Sequence, residues 1–279
     1  MVVGNLRDVR AVLFDLDGVV YIGDTPLAGA QDIFDWMTRE GKPYCLVTNN
    51  STRTPQQYQD RLGKMGIHVP LSTVYTSGLA TAQFLQKQYP KGASVYSIGE
   101  IGLEEALVNA GFWMEAESPE IVCVGLDQQL TYEKLKIATL AIRQGARFIA
   151  ANPDRTLPTE IGLVPGCGAI LAAIETATDV APFVVGKPSA TMIDLAIERL
   201  GASKETTVIV GDRLDTDIEA GAAAGITTVL IQTGVHRVAD IARFPVAPDF
   251  IVDDLVHFRG ALAGTRPAIR YEPAGASVP

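Results

Sequence analysis

Short apolar runs alternate with longer amphipathic stretches along nearly the whole chain, and few folds accommodate that alternation. Strand-length runs occur at Ala11–Asp15, Tyr44–Thr48, Ser94–Ile98, Ile121–Val124, Arg147–Ala150, Thr207–Val210, Thr227–Ile231 and Phe250–Val252. Between them lie helix-period segments at Gly29–Glu40, Pro55–Lys64, Thr131–Arg143, Ala190–Leu200 and Asp215–Ala224, several opened by Thr, Ser or Asp caps. The pattern predicts an α/β protein with a mostly parallel sheet covered by helices. At 279 residues the chain can build one large core or two medium ones. After about Thr265, Pro267, Pro273, Pro279, Gly275 and Ser277 predict a loose tail over 265–279.

Composition narrows the function. The net charge of −9 disfavours a nucleic-acid partner, whose phosphates would be repelled, and no local basic patch offsets it. The first ten residues carry Arg7, Asp8 and Arg10 without a long apolar stretch, so neither an export signal nor a membrane anchor is expected, and the chain reads as cytoplasmic. Cys45, Cys123 and Cys167 are odd in number and far apart, as reduced core thiols are, and His68, His236 and His257 have no zinc spacing.

Chemistry concentrates where strands end. In Ala11-Val12-Leu13-Phe14-Asp15-Leu16-Asp17-Gly18, the two-residue strand period sends Asp15 and Asp17 to one side, and Gly18 lets the backbone turn away. Two carboxylates so placed suit a hard cation such as magnesium; an acidic turn that merely closes a strand is the alternative. The second apolar run ends in Thr48-Asn49-Asn50-Ser51-Thr52, polar groups that either donate to phosphate oxygens or cap the next helix. Lys187, before Pro188, is either a solvated loop charge or a point charge able to neutralise a phosphoryl transition state. A fourth run, Val208-Ile209-Val210, leads into Gly211-Asp212-Arg213-Leu214-Asp215-Thr216-Asp217. Here Asp212 can complete a cation site begun by Asp15, Asp215 reads as a helix cap, and Asp217 reads as a support for the metal's water shell.

Taken in this order, the four strand-end motifs resemble the haloacid dehalogenase (HAD) superfamily, and within it the subclass IIA phosphatases related to p-nitrophenylphosphatase, phosphoglycolate phosphatase and pyridoxal phosphatase. The resemblance runs from Val9 to about Leu262 with no departure at the motif positions. It implies a Rossmann-like core with an inserted α/β cap, divided as core 1–76, cap 77–181, core 182–264 and tail 265–279. It also implies Mg2+-dependent hydrolysis of small-molecule phosphate monoesters through an aspartyl-phosphate. Asp15 would be the nucleophile, and Asp17 would protonate the leaving alcohol and then activate water. Magnesium would be held by Asp15, Asp212 and the backbone carbonyl of Asp17, with Asp217 supporting its shell. Thr48 and Asn49 would hold phosphate oxygens while Lys187 balances charge.

The segment 77–181 carries its own strand and helix alternation, as a cap with its own core would. Inside it, Ala151–Pro158 and Pro165-Gly166-Cys167-Gly168 read as polar and glycine-rich loops, and Arg155, Thr156 and Leu157 are candidates for contact with the leaving group. The motifs leave open the substrate among small phosphorylated metabolites and the oligomeric state, a homodimer included. Asp17 argues against dehalogenase or phosphonatase chemistry. Phosphomutase or phosphotransfer activity on the same scaffold stays an alternative, as does a non-catalytic binder of a phosphorylated ligand. The complete motifs at Asp15, Asp17, Lys187 and Asp212 count against a pure binder, which gains nothing from two carboxylates repelling a phosphate dianion.

Overall fold

A computed structural model describes residues 3–89, 91–159 and 161–272. The chain splits into two compact units, Met1–Val47 with Arg61–Thr73 and Ala196–Pro279, and Thr48–Asp60 with Val74–Leu195.

The sheet of the first unit runs Ile269–Arg270, Phe250–Val252, Thr227–Ile231, Thr207–Gly211, Ala11–Phe14, Tyr44–Thr48. These strands pair in parallel except Ile269–Arg270, which is antiparallel to Phe250–Ile251. The interior strands are fully buried, which is why they read as continuous apolar runs without a two-residue alternation. Ala11–Phe14 lies between strands reached in opposite directions along the sheet, from Thr207–Gly211 on one side and Tyr44–Thr48 on the other. That reversal of strand order is where open α/β sheets leave a crevice at their carboxyl ends. Edge-to-face contacts of Phe14 with Phe34, Tyr44 and Phe258 close the core beneath this point.

The second unit has its own parallel sheet in the order Phe183–Val184, Arg147–Ala150, Ile121–Val124, Ser94–Ile98, Trp113–Met114. Ile98, Val122, Val124, Phe148 and Ala150 from this sheet pack with Ala138, Ile142, Cys167, Leu171 and Ile174 from the helices Tyr132–Arg143 and Cys167–Thr178. It is therefore a hydrophobic core in its own right.

Several boundaries differ from expectation. The second unit reaches beyond 77–181 because hydrogen bonds gather the segment 48–60 into it: Ser77 Oγ and Asn152 Nδ2 both donate to the Asn49 carbonyl, and Gly102 N donates to Thr52 O. Part of the expected tail is ordered. Ile269–Arg270 adds a strand to the sheet edge, the His257 ring lies 2.9 Å from Pro267 O, and Arg266 pairs with Asp253. Residues 273–279 of that segment lie outside the described residues. Within the expected loop at 151–158, Thr156–Thr159 forms a hairpin with Gly162–Pro165, and Cys167 opens a helix where a glycine-rich loop was expected. The helices Ser77–Gln88, Ile101–Asn109 and Leu255–Ala263 escape the periodicity argument because small and apolar residues surround much of each axis, which blurs the polar stripe.

Candidate active site

Parallel pairing aligns the ends of two neighbouring strands. Phe14 is opposite Val210, so Asp15 leaves its strand beside Gly211 and Asp212, and Asp15 N donates to Val210 O at 2.9 Å. Asp217 joins them from the next turn. Carboxylate oxygens of Asp15, Asp212 and Asp217 all lie within 4.8 Å of one another, and the three residues are 9%, 1% and 1% exposed.

The chain is shaped to admit these groups. At Gly234 a Cβ would stand 1.8 Å from Asp212 Oδ2, and at Gly211 it would stand 2.1 Å from the Asp217 Cβ. Gly18 takes φ +84°, which turns the backbone as its place after Asp17 predicts. Backbone donors fix two of the carboxylates: Val235 N to Asp212 Oδ2 at 2.6 Å, and Arg213 N to Asp217 Oδ2 at 3.1 Å. Thr233 Oγ1 donates to Gly18 O at 2.6 Å and ties the two loops together.

Three carboxylates this close repel by about 3–4 kcal/mol per pair at an effective dielectric near 20. A hard divalent cation with oxygen ligands relieves that repulsion, and the donor set contains only oxygen, so the residues fit Mg2+ by charge and by chemistry. Asp217 belongs to this cluster directly, where the sequence suggested an outer supporting role. The Asp17 side chain is not in it. Asp17 is exposed, and its Oδ2 accepts a hydrogen bond from the Tyr21 hydroxyl at 3.2 Å.

Asp215 is not a helix cap. Arg213 holds it through two parallel bonds, Nε to Oδ1 at 3.1 Å and Nη2 to Oδ2 at 2.9 Å, and Leu214 N donates to His236 Nδ1 instead. Although burial alone would raise the Asp215 pKa, the bonds and charge of Arg213 hold it below the usual carboxylate value. The helix opens with a wide π-type turn over Leu214–Ile218 before the α-helical Glu219–Ala224, and this turn carries Asp217 inward.

In the second unit, Thr48 is buried, and its Oγ1 accepts from Asn50 N at 3.2 Å, which leaves the hydroxyl proton able to donate. Asn49 departs from its expected role. Its Nδ2 protons go to Asp154 Oδ1 (2.9 Å) and Lys187 O (2.8 Å), and its Oδ1 accepts from Lys187 N (2.8 Å). With both amide protons engaged, the side chain fixes the backbone around Lys187, and any contact with phosphate falls to the Asn49 backbone N–H. Lys187 is 2% exposed and precedes a cis proline, so it is no solvated loop charge. Arg155 and Thr156 are exposed at the start of the hairpin, while Leu157 packs against the core of the unit.

Sequence reasoning missed Gly234, Asn152 and Asp154. Gly234 stands in no motif, and only its closeness to Asp212 reveals it. The other two lie in Asn152-Pro153-Asp154, which reads equally well as a turn. The three cysteines are free and buried as expected, and burial pushes the Cys45 and Cys167 thiols up to about 12. Among the described residues, no helix is long and apolar enough to cross a membrane.

Two family models match the chain, a haloacid dehalogenase-like hydrolase model over residues 12–113 and a HAD-hydrolase-like model over residues 184–258. An acid sugar phosphatase of Staphylococcus aureus is 43% identical over 251 residues, covering 90% of this chain and 96% of the relative. Among solved structures, a 4-nitrophenylphosphatase from Thermotoga maritima superposes with TM-score 0.88 at 34% identity, covering 92% and 98% of the two chains. NagD from E. coli K-12 superposes with TM-score 0.84 at 37% identity, covering 88% and 97%. With its acidic strand ends, its parallel sheet and these relatives, the chain belongs to the haloacid dehalogenase-like hydrolases, among their subclass IIA phosphatases.

Proposed function

We propose that this protein hydrolyses phosphate monoesters of small metabolites through an aspartyl-phosphate on Asp15, with Mg2+ held by Asp15, Asp212, Asp217 and the backbone carbonyl of Asp17. The observation that carries this reading is the buried carboxylate triad, three oxygens within 4.8 Å on loops that begin at adjacent strand ends. When bound, Mg2+ would offset most of the triad's charge and draw negative charge from the phosphoryl oxygens.

The chain's own residues supply the proton and bond chemistry. One Asp15 oxygen forms a bond to phosphorus as the bond from phosphorus to the leaving oxygen breaks, and Asp17 delivers its proton to that oxygen. Water then attacks the same phosphorus and gives a proton back to Asp17, which frees Asp15 and releases inorganic phosphate. Splitting the reaction in two suits the difficulty of the task, since phosphate monoesters are among the slowest to hydrolyse unaided, with enzymes supplying up to about 10²¹-fold.

Thr48 donates its hydroxyl proton to a phosphate oxygen, the Asn49 backbone N–H does likewise, and Lys187 balances the charge of the dianion. Asn49, itself held by Asp154, keeps the Lys187 backbone in place. The segment 77–181 acts as a cap that keeps water from the phosphorylated Asp15, and Arg155 and Thr156, both exposed, are its candidates for touching the leaving group. The reduced thiols fit the cytoplasm. Because the Staphylococcus relative is named for sugar phosphates, these head the panel of substrates to be tested.

The test is phosphate release from p-nitrophenyl phosphate and from a panel of phosphorylated metabolites, ranked by kcat/KM, with magnesium, with chelator, and with Asp15→Asn. Activity that survives Asp15→Asn rejects the covalent route. Transfer of phosphate to a second alcohol in place of water would reassign the protein to phosphotransfer.

A further inference from the structure

A chain of hydrogen-bond donors ends on Asp17, and its significance rests on the proposed function, in which Asp17 protonates the leaving oxygen. Tyr21 is wholly buried and opens the short hairpin Tyr21–Ile22/Thr25–Pro26. Its hydroxyl lies 3.2 Å from Asp17 Oδ2 and 3.2 Å from Arg61 Nη1. A guanidinium only donates, so the phenolic oxygen accepts from Arg61 while its hydroxyl donates to Asp17 Oδ2. Arg61 is itself fixed on the hairpin turn. Its Nη2 donates to Gly23 O at 2.7 Å, Nη2 and Nε donate to Asp24 Oδ1 at 3.1 and 3.2 Å, and the guanidinium carbon sits 4.5 Å from the centre of the Tyr21 ring.

We propose that Tyr21 and Arg61 are positioning residues for Asp17: the phenolic hydroxyl donates to Oδ2 and, held by Arg61, sets the orientation in which the carboxyl group meets the leaving oxygen. In the first step the O–H bond of the Asp17 carboxylic acid breaks as the leaving oxygen gains that proton. In the second, a proton from the attacking water returns to the Asp17 carboxylate. Tyr21 keeps its own proton throughout. Asp17 is exposed, and loss of the hydroxyl removes this restraint on its carboxyl group; displacement of a reacting group by about 1 Å can cost roughly 10²-fold.

The experiment compares kcat/KM for 2,4-dinitrophenyl, p-nitrophenyl and phenyl phosphates. Dinitrophenolate departs without needing a proton, while phenolate needs one. Tyr21→Phe keeps the ring and removes the hydroxyl, so kcat/KM for phenyl phosphate falls about 10- to 100-fold while that for the dinitrophenyl ester changes less than about threefold. Arg61→Lys gives the same selective pattern, weaker, because an ammonium cannot span Asp24, Gly23 and Tyr21 together. A uniform loss across the series, or no loss, overturns the proposal. Should Tyr21→Phe fail to fold by circular dichroism, Arg61→Lys decides by the same criterion. Asp17→Asn is run alongside. A steep leaving-group dependence there with a flat one in Tyr21→Phe defeats this proposal alone, whereas a flat dependence in Asp17→Asn defeats the acid role of Asp17 and this proposal with it.

Discussion

The two units manage buried polar groups in opposite ways. In the first, like charges crowd: Asp15, Asp212 and Asp217 place oxygens within 4.8 Å of one another, and Gly211 and Gly234 leave room for them. In the second, opposite needs meet: Asn49 donates to Asp154 and to the Lys187 carbonyl and accepts from the Lys187 amide, while Asn152 donates to the Asn49 carbonyl. The first arrangement is costly unless a cation joins it, and the second is complete within the chain. A chain tolerates the first kind where it serves chemistry and uses the second to hold a functional backbone still.

Variants separate the two. Asp15→Asn is expected to have the largest effect, a loss of roughly 10⁴-fold or more in kcat, as removal of a nucleophile produces elsewhere; steady-state assay with p-nitrophenyl phosphate measures it. Gly234→Ala, which directs a methyl group at Asp212 Oδ2, should lower activity about 10²-fold, the scale of a 1 Å displacement. Retained activity in that variant would mean that the Asp212 carboxylate need not sit where it does.

Stability sharpens the contrast further. Asn49→Ala should cost about 2–4 kcal/mol in denaturant unfolding, because it strips two buried hydrogen bonds from the Lys187 backbone and one from Asp154, and magnesium should not restore it. Asp212→Asn should behave the other way round. With chelator present it should be about 1–2 kcal/mol more stable than the parent, through relief of repulsion, and with magnesium present less stable. A parent protein whose melting temperature ignores magnesium would break the comparison outright.

The smallest effect is expected at Asp215. Its folded pKa is lowered by Arg213, so its contribution is present above the unfolded carboxylate value near 4 and is lost as pH falls through the folded value. Because both partners are partly exposed, Asp215→Asn should cost less than about 1 kcal/mol at neutral pH. The gap from the parent should close on acidification, and melting curves between neutral and acid pH would show it.

The strand-end acids were legible because a buried parallel strand is a continuous apolar run, and a carboxylate at its end has few structural reasons to be there. Asp15, Asp17 and Asp212 could therefore be named, and Lys187 could be suspected. Asp215 reads as a helix cap and Asp217 as an outer support for the metal, because both sit in what reads as an acidic first helical turn. The wide turn at Leu214–Ile218 separates them, sending one to Arg213 and the other to the acidic cluster. Asn49 looked like a phosphate ligand because an amide after a strand can serve any partner, and the partners it has are 105 and 138 residues away.

Local pattern by itself determined the α/β class, where the principal strands fall along the chain and the acidic residues at their ends, because hydrophobic period and strand termini are properties of neighbouring residues. Tertiary structure alone decided which carboxylates meet, which glycines make room for them, and that Arg61 reaches Asp17 through Tyr21. Those depend on strand order and register, which bring together atoms from remote parts of the chain, and no local spacing encodes such a meeting.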